Sequence, residues 1–145
     1  MKKTLFAIAM ALATFISYGQ SIQTNTSKTI WSKFGDKSQE LEIYEGRPVF
    51  SFRDEQYSQL NEREYIWFDD TEQMETFFEK MQEMFEMPAP KGDDTYTLKM
   101  CGVTIMRGKN MMGVPFIMVF KGRSYFTFDP TRNKTVLKNI DKKLS

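Results

Sequence analysis

The chain has no histidine and only one cysteine. Histidine is absent from all 145 residues, and Cys101 is the sole thiol. Without histidine, the Ser-His-Asp and Cys-His mechanisms and histidine-ligated zinc are excluded. One cysteine cannot form an intramolecular disulfide, nor by itself hold zinc or an iron–sulfur cluster. We therefore predict no catalytic residue, no metal site and no cofactor, while a carboxylate pair or a Ser–Lys pair stays open as a catalytic alternative.

The longest apolar run lies at the N-terminus. Lys2 and Lys3 precede an apolar stretch from Leu5 to Ile16, and the residues Ser17-Tyr18-Gly19 follow it. A basic start, a short apolar segment and small residues at the −3 and −1 positions are typical of a cleavable signal peptide. The run is shorter than the ~20 residues that span a bilayer. We therefore predict a signal peptide over residues 1–19 and a periplasmic or secreted protein with no integral membrane segment after its removal.

The rest of the chain has the length of one domain. Residues 20–29 are mostly Ser, Thr, Asn and Gln, which have little apolar surface to bury. We assign residues 20–38 to a flexible leader and residues 39–145 to a single domain. Ile30, Trp31 and Phe34 are the exceptions in the leader, because they can form a short strand or pack onto the domain.

One helix is strongly indicated, and a second is expected near the C-terminus. Asp70 is a good N-cap residue with Gln73 as its capping-box partner, and Pro88 ends the pattern. Between them one apolar face with helical period holds Met74, Phe77, Phe78, Met81, Met84 and Phe85. The second helix begins either at Asp129-Pro130 or near Thr135.

Alternating segments elsewhere predict strands. The turn Glu45-Gly46 joins two of them into a hairpin, and Cys101-Gly102 is predicted to be a bulge inside one strand, with Cys101 buried. Residues 114–120 are apolar on both faces, which predicts a central strand. The expected fold is α+β, an antiparallel sheet of about six or seven strands packed by one amphipathic acidic helix (70–87) and a short basic C-terminal helix.

Two patterns have alternative explanations. Residues 43–52 resemble residues 119–128, either because both are hairpins with the same turn or because the chain contains a duplication. Met81, Met84 and Met87 have a spacing that also occurs in Cu(I) sites, since thioether sulfur is a soft ligand. The first two also fit the apolar stripe of the helix, so core packing is the preferred interpretation.

Charge is distributed unevenly. Residues 36–94 hold 17 acidic and 6 basic side chains, a net charge of −11, whereas residues 95–145 hold 2 acidic and 10 basic, a net charge of +8. The two parts either neutralise each other within one fold or form a bipolar surface for a charged partner or a second copy. No nucleic-acid-binding signature accompanies this asymmetry, so nucleic acid is not an expected partner.

Strand periodicity suggests a binding face. Side chains alternate between the two faces of a sheet, and one face would carry Arg47, Val49, Tyr65, Trp67, Arg123 and Tyr125. Trp, Tyr and Arg are enriched at binding hot spots. We predict that Arg47, Tyr65, Trp67, Arg123 and Tyr125 bind a partner. The alternative is that Ile30, Trp31 and Phe34, or a second copy in a homodimer, cover this face.

These observations favour an exported, non-catalytic binding module with a protein partner. Two alternatives stay open: a carrier that holds a hydrophobic small molecule or lipid between sheet and helix, and a carboxylate-based hydrolase.

The first prediction concerns processing. Mass spectrometry of the exported protein should show loss of residues 1–19 and a mature chain that begins at Gln20, because the N-terminus has the three parts of a signal peptide. A mature protein that keeps the apolar segment would contradict the export hypothesis.

Overall fold

Four strands followed by a helix occur twice along the chain. The computed structural model describes residues 26–92 and 94–145, so the predicted signal peptide, residues 1–19, lies outside the described residues. The first unit comprises β1 (Ser27–Ser32), β2 (Gln39–Tyr44), β3 (Arg47–Arg53), β4 (Arg63–Trp67) and α1 (Thr71–Glu86). The second comprises β5 (Tyr96–Met100), β6 (Val103–Lys109), β7 (Pro115–Lys121), β8 (Ser124–Phe128) and α2 (Pro130–Leu144).

The strands form two sheets. The α+β class is confirmed, but the single sheet of six or seven strands is corrected to two antiparallel sheets of four, ordered β1-β2-β3-β4 and β5-β6-β7-β8. Each strand pairs with its neighbour in sequence. The physical reason is the position of α1, which follows β4 and carries the chain away before β5 can pair with it. Alternation in a sequence shows which face a residue occupies, but not which strands are neighbours.

Two-residue turns join several of these strands. Glu45-Gly46 links β2 to β3, as predicted, with φ of 50° and 81°. Cys101-Gly102 also forms a two-residue turn, with φ of 51° and 73°, so the predicted bulge is corrected to a hairpin. Positive φ at both turn residues matches the right-handed twist of the flanking strands. Cys101 is accordingly half-buried at a hairpin tip rather than buried within a strand.

Helix α1 has the predicted N-cap, Asp70, whereas the Gln73 side chain bonds one residue before the position that a capping box uses. The Asp70 carboxylate accepts a hydrogen bond from the backbone N–H of Gln73 (2.7 Å), and the Gln73 side chain in turn accepts one from the N–H of Asp69 (2.8 Å). All six residues of the predicted apolar stripe are buried. The helix therefore turns its Met and Phe side chains inward and its glutamates mostly toward solvent.

Helix α2 begins at the earlier of the two predicted positions. Asp129 is its N-cap and Pro130 its first residue. The fully buried Asn133 donates a hydrogen bond to the Phe78 carbonyl of α1 (3.0 Å). The basic helix thus packs against the acidic one, although Lys121–Glu64 is the only ion pair that joins the two oppositely charged parts of the described chain.

One aromatic residue lies at the centre of the core. The Phe50 ring, on β3, is fully buried. Its centroid lies 5.0–6.5 Å from five other rings: Trp31, Phe52, Phe78, Phe126 and Phe128. Both sheets and α1 therefore share a single core. Trp31 and its neighbour Ile30 belong to β1, so the segment assigned to the leader contains a strand that packs into the core.

The free edge of β8 is closed by hydrogen bonds to other parts of the chain. The backbone N–H and C=O groups of Tyr125 and Thr127 point away from β7, and all of them are hydrogen-bonded within the chain. The Tyr125 N–H donates to the Asp54 carboxylate (3.2 Å), and the Tyr125 carbonyl accepts from the Glu55 N–H (2.9 Å). The Thr127 N–H donates to the Glu55 carboxylate (2.8 Å), and the Thr127 carbonyl accepts from the Gln39 amide (3.1 Å) and the Arg132 guanidinium (2.9 Å). A strand edge satisfied in this way cannot readily pair with another chain.

The helix assignment makes a stability prediction. Phe78→Ala should lower the free energy of unfolding by about 3–5 kcal/mol, because it removes a fully buried ring from the core. Glu79→Ala, on the exposed side of α1, should change it by less than about 0.5 kcal/mol. Urea denaturation of both variants tests this, and equal effects would mean that the buried side of the helix is wrongly assigned.

Candidate functional site

Neither described helix packs on the outer face of either sheet. The two helices bury their apolar stripes in the core that the inner faces share. On the outer face of the first sheet, Tyr65 and Trp67 are each 42% exposed. This is the face that strand periodicity selects, and it bears three of the five predicted binding residues, Arg47, Tyr65 and Trp67.

A proline determines where the Arg47 side chain lies. Phe68 donates its N–H to the carbonyl of Pro48 (3.1 Å), but Pro48 has no N–H to donate in return. The Arg47 Nε donates to the Phe68 carbonyl instead (3.0 Å). Arg47 thus fills the gap that the proline leaves in the ladder between β3 and the end of β4.

This hydrogen bond holds Arg47 over Trp67. The guanidinium carbon lies 5.4 Å from the Trp67 ring centroid, a cation–π geometry, and its other end lies 3.7 Å from the Asp69 carboxylate. Tyr44 meets the same indole edge-on, at 6.4 Å and 70°. We call Tyr44, Arg47 and Trp67 the Trp67 cluster. It forms a half-exposed aromatic platform that is oriented before any partner arrives.

The other predicted residues lie nearby but do not join the cluster. Lys121, at the end of β7, donates to the Tyr65 carbonyl (2.7 Å), which places the β7–β8 turn beside β4. Arg123, in that turn, is exposed and lines a small cleft of about 130 Å³ with Tyr57, Leu60 and Glu62. Tyr125 lies on the outer face of the second sheet, 5.7 Å from the Phe120 ring. The five residues are therefore spread over two adjoining faces and one turn.

The segment expected as an internal cover does not cover this face. Ile30 and Trp31 are buried in the core, and the Phe34 side chain is fully exposed. Val49 is buried within the outer face, opposite Trp67 in the register of β3 and β4. Ile30, Trp31 and Phe34 therefore do not cover the Trp67 cluster, although Tyr44 of that cluster pairs with Ser27 of β1 within the sheet.

A second surface was missed in selecting binding residues. On the outer face of the second sheet, half-buried apolar side chains lie in adjacent strands. They are Met106, Phe116, Met118, Phe120 and Tyr125, which we call the Met/Phe face. The signal was present in residues 114–120, whose apolar side chains occur on both faces of the strand. We read that pattern only as evidence for a central strand.

The described residues offer little reactive chemistry. Among them, no group of three or more His, Cys, Asp or Glu side chains is placed to hold a metal ion. Met81 and Met84 are buried in the core, as the packing interpretation predicts, while Met87 is exposed. No helix in residues 26–92 and 94–145 has the length and hydropathy needed to cross a membrane.

Two pKa values are displaced, each for a local reason. Burial raises the pKa of the Cys101 thiol, and the nearby Asp69 carboxylate adds to the effect, so the thiolate nucleophile is disfavoured. The backbone N–H of Ser38, hydrogen-bonded to Asp36, lowers the pKa of that carboxyl to about 2. Asp36 is exposed and stabilises the turn before β2, so its shift has a structural cause.

Comparison with known proteins gives no relative: no protein family, no curated protein and no solved structure matches the chain.

The Arg47 geometry makes a prediction about stability. Arg47→Ala should lower the free energy of unfolding by about 1–2 kcal/mol, because the Phe68 carbonyl loses its donor and Trp67 loses a neighbour. Arg123→Ala, at an exposed turn position, should stay within about 0.5 kcal/mol of the wild type. Chemical denaturation measures both. Indistinguishable variants would show that Arg47 does not compensate for Pro48.

Proposed function

We propose that the protein is an exported, non-catalytic module that binds another protein through its outer sheet faces. The Trp67 cluster is the anchor of this interaction, and Tyr65, Arg123 and Tyr125 extend it. The single observation that carries the proposal is Trp67: a large indole, 42% exposed, fixed by Arg47 and Tyr44 on a face that neither helix covers.

The energetics of such a platform favour binding. A flexible exposed side chain loses conformational entropy when it is immobilised by a partner. Trp67 has contacts on two sides already, so much of that loss is incurred on folding. Trp, Tyr and Arg combine large contact area with directional polar groups, which is why they are frequent at interface hot spots. The lack of histidine in the sequence supports a role without catalysis.

The Phe packing favours this role over that of a carrier. A ligand held between sheet and helix needs space between them. That position is occupied by fully buried rings: the Phe78 centroid of α1 lies 5.9 Å from that of Phe50 and 6.1 Å from that of Phe128. A hydrophobic ligand would have to displace core side chains. Export to the periplasm or the medium is part of the proposal and rests on residues 1–19.

The test separates binding from folding. Trp67→Ala and Tyr125→Ala should each lower the free energy of unfolding by about 1 kcal/mol or less, because both side chains face solvent. Trp67→Ala should nevertheless weaken partner binding by about 2 kcal/mol or more if the indole is a hot spot. The measurement is photo-crosslinking from position 65 in the native host, followed by mass spectrometry of the crosslinked partner and titration of that partner against both variants.

Phe34→Ala is the matched control, since Phe34 is a fully exposed aromatic residue outside the Trp67 cluster. It should leave both stability and binding unchanged. A loss of several kcal/mol of folding stability in Trp67→Ala would place the indole in a second core. An unchanged affinity in that variant would remove the outer face of the first sheet from the interaction.

A further inference from the structure

Three of the four sheet edges carry hydrogen bonds from elsewhere in the chain. The edges are β1 and β4 of the first sheet and β5 and β8 of the second. On β1 the Thr29 carbonyl accepts from the Lys143 ammonium (2.8 Å), and on β4 the Tyr65 carbonyl accepts from the Lys121 ammonium (2.7 Å). The bonds on the free edge of β8 close the third. A strand edge that is bonded in this way is a poor template for another strand.

The fourth edge, β5, has no such closure. The two-residue turn at its end makes Met100 and Val103 a hydrogen-bonded pair, and such pairs recur at every second residue of an antiparallel ladder. The backbone N–H and C=O groups of Thr97 and Lys99 therefore point away from β6. Within residues 26–92 and 94–145, no group bonds to them. β5 thus offers an open edge to an incoming strand.

The open strand is held in place by its neighbours. Tyr96 pairs with Arg107 of β6, and the Arg107 guanidinium carbon lies 5.8 Å from the Tyr96 ring centroid. The same guanidinium donates to the Pro88 carbonyl just beyond α1 (2.9 Å), and Arg107 is only 5% exposed. The backbone of β5 is therefore oriented on folding, and a strand that pairs with it requires little further ordering of β5.

The inward side of β5 is incompletely covered. Tyr96, Leu98 and Met100 pack against the core, but all three are only half-buried. Inward residues of the central strands, such as Ile105 and Val119, are fully buried. The difference arises because β5 has a neighbouring strand on one side only. A further strand beside β5 would supply the missing cross-strand neighbours.

The position of one lysine restricts how two copies of this edge can pair. A two-fold antiparallel pairing can centre on Lys99, on Leu98 or on Thr97. The first sets the two lysines directly opposite each other, and the second makes them diagonal neighbours, so like charges oppose both. Centring on Thr97 separates the lysine Cα atoms by about 14 Å and places each lysine opposite Thr95 of the other copy.

The register centred on Thr97 also brings compatible side chains together. Thr97 comes opposite Thr97 of the second copy on the outer side, and Tyr96 comes opposite Leu98 on the inner side. Threonine pairs stabilise antiparallel sheets, and the Tyr96–Leu98 pairs bury apolar surface that a single copy leaves half-exposed. The strand is therefore complementary to itself, as a two-fold interface requires.

We propose that β5 pairs antiparallel with β5 of a second copy of this chain, with Thr97 on the two-fold axis. The second sheets of the two copies then form one sheet of eight strands. This interface lies on a sheet edge, away from the Trp67 cluster, and it does not depend on the proposed function.

Sedimentation equilibrium of the mature protein should show a monomer–dimer equilibrium that depends on concentration. Thr97→Lys should raise the dimer dissociation constant at least about tenfold, because the introduced lysines face each other across the two-fold axis. Thr131→Lys adds the same charge at an exposed position of α2 and should change that constant by no more than about twofold. Equal effects of the two variants would reduce the association to net charge and overturn the proposal.

Disulfide crosslinking tests the register, and it decides the question if Thr97→Lys does not fold by circular dichroism. In a Cys101→Ser background, Thr97→Cys should form an intermolecular disulfide on mild oxidation, because the Cα atoms of the central pair lie about 5.5 Å apart. Thr95→Cys is the matched control: it is also exposed, but its two Cα atoms lie about 14 Å apart, so it should crosslink at least about tenfold more slowly. Equal rates would indicate random collision and refute the pairing.

The dimer and the proposed anchor fail separately. A protein that stays monomeric at every concentration would overturn the dimer, whatever partner it binds. A dimer that Trp67→Ala dissociates and Thr97→Lys does not would place the second copy on the outer face of the first sheet, and the β5 pairing would fail as well. Partner capture that is unaffected by Trp67→Ala, with the β5 dimer intact, would refute only the anchor.

Discussion

The Phe50 ring is the contact on which the rest of the structure depends. The two sheets share no ladder, and the hydrogen bonds that join them lie at their margins, from Gln39 to the Thr127 carbonyl and from Lys121 to the Tyr65 carbonyl. The orientation comes from side-chain packing, in which Phe50 meets Phe126 and Phe128 of β8 and Phe78 of α1. Aromatic pairs add about 0.5–1.5 kcal/mol each to the energy of burial. Because both described helices pack into the core between the inner faces, neither of them covers an outer face.

A second constraint acts on the outer face of the first sheet. Pro48 creates a carbonyl without a ladder partner, and a carbonyl without a donor is costly when it is even partly buried. Arg47 provides the donor, and its planar guanidinium comes to rest on Trp67. The shape of the Trp67 cluster thus follows from a backbone requirement. The same residue that repairs the ladder holds the exposed indole in one orientation, which connects the stability of β4 to the geometry of the proposed binding surface.

Sequence patterns predicted the local structure well and the arrangement poorly. Helix α1 could be predicted because its signals are local: an apolar stripe of helical period from Met74 to Phe85, and an N-cap at Asp70. The division into two sheets depends on contacts between residues far apart in sequence, such as Phe50 with Phe126, and no local pattern encodes it. At Cys101-Gly102 the local sequence allows two structures, and only the strand pairing decides between them. A bulge and a two-residue hairpin have similar compositions, and the pairing of Met100 with Val103 decides between them. Of the candidate site, periodicity identified the exposed side of β4 at Tyr65 and Trp67, but could not show that Arg123 and Tyr125 belong to another sheet.

The sequence contains two internal similarities, and only one of them falls at equivalent places in the two four-strand units. Residues 43–52 and 119–128 both form hairpins, but the first is β2–β3 and the second is β7–β8, so they occupy different places in the two four-strand units. Their turns differ, because Glu45-Gly46 has positive φ at both residues, whereas Gly122-Arg123 has it only at Gly122 and begins one position later in the alignment. A different likeness does fall at equivalent places: Tyr65-Ile66-Trp67-Phe68-Asp69 and Tyr125-Phe126-Thr127-Phe128-Asp129 each lead from the fourth strand of a unit into its helix.

The three identical positions in this second likeness each have a physical role. The tyrosines lie on the outer faces, and Phe68 and Phe128 are buried at the start of the connection. Asp129 caps α2 directly, while in the first unit one further residue, Asp70, takes the cap and Asp69 binds the Gln73 side chain. In both units the strand ends with a phenylalanine whose ring is buried in the core, and the helix begins within two residues of it. A residue that can serve as N-cap must therefore follow the phenylalanine closely. The repeated junction is therefore a solution to one packing problem met twice, and in both units it leaves a tyrosine on the side that no helix of the domain covers.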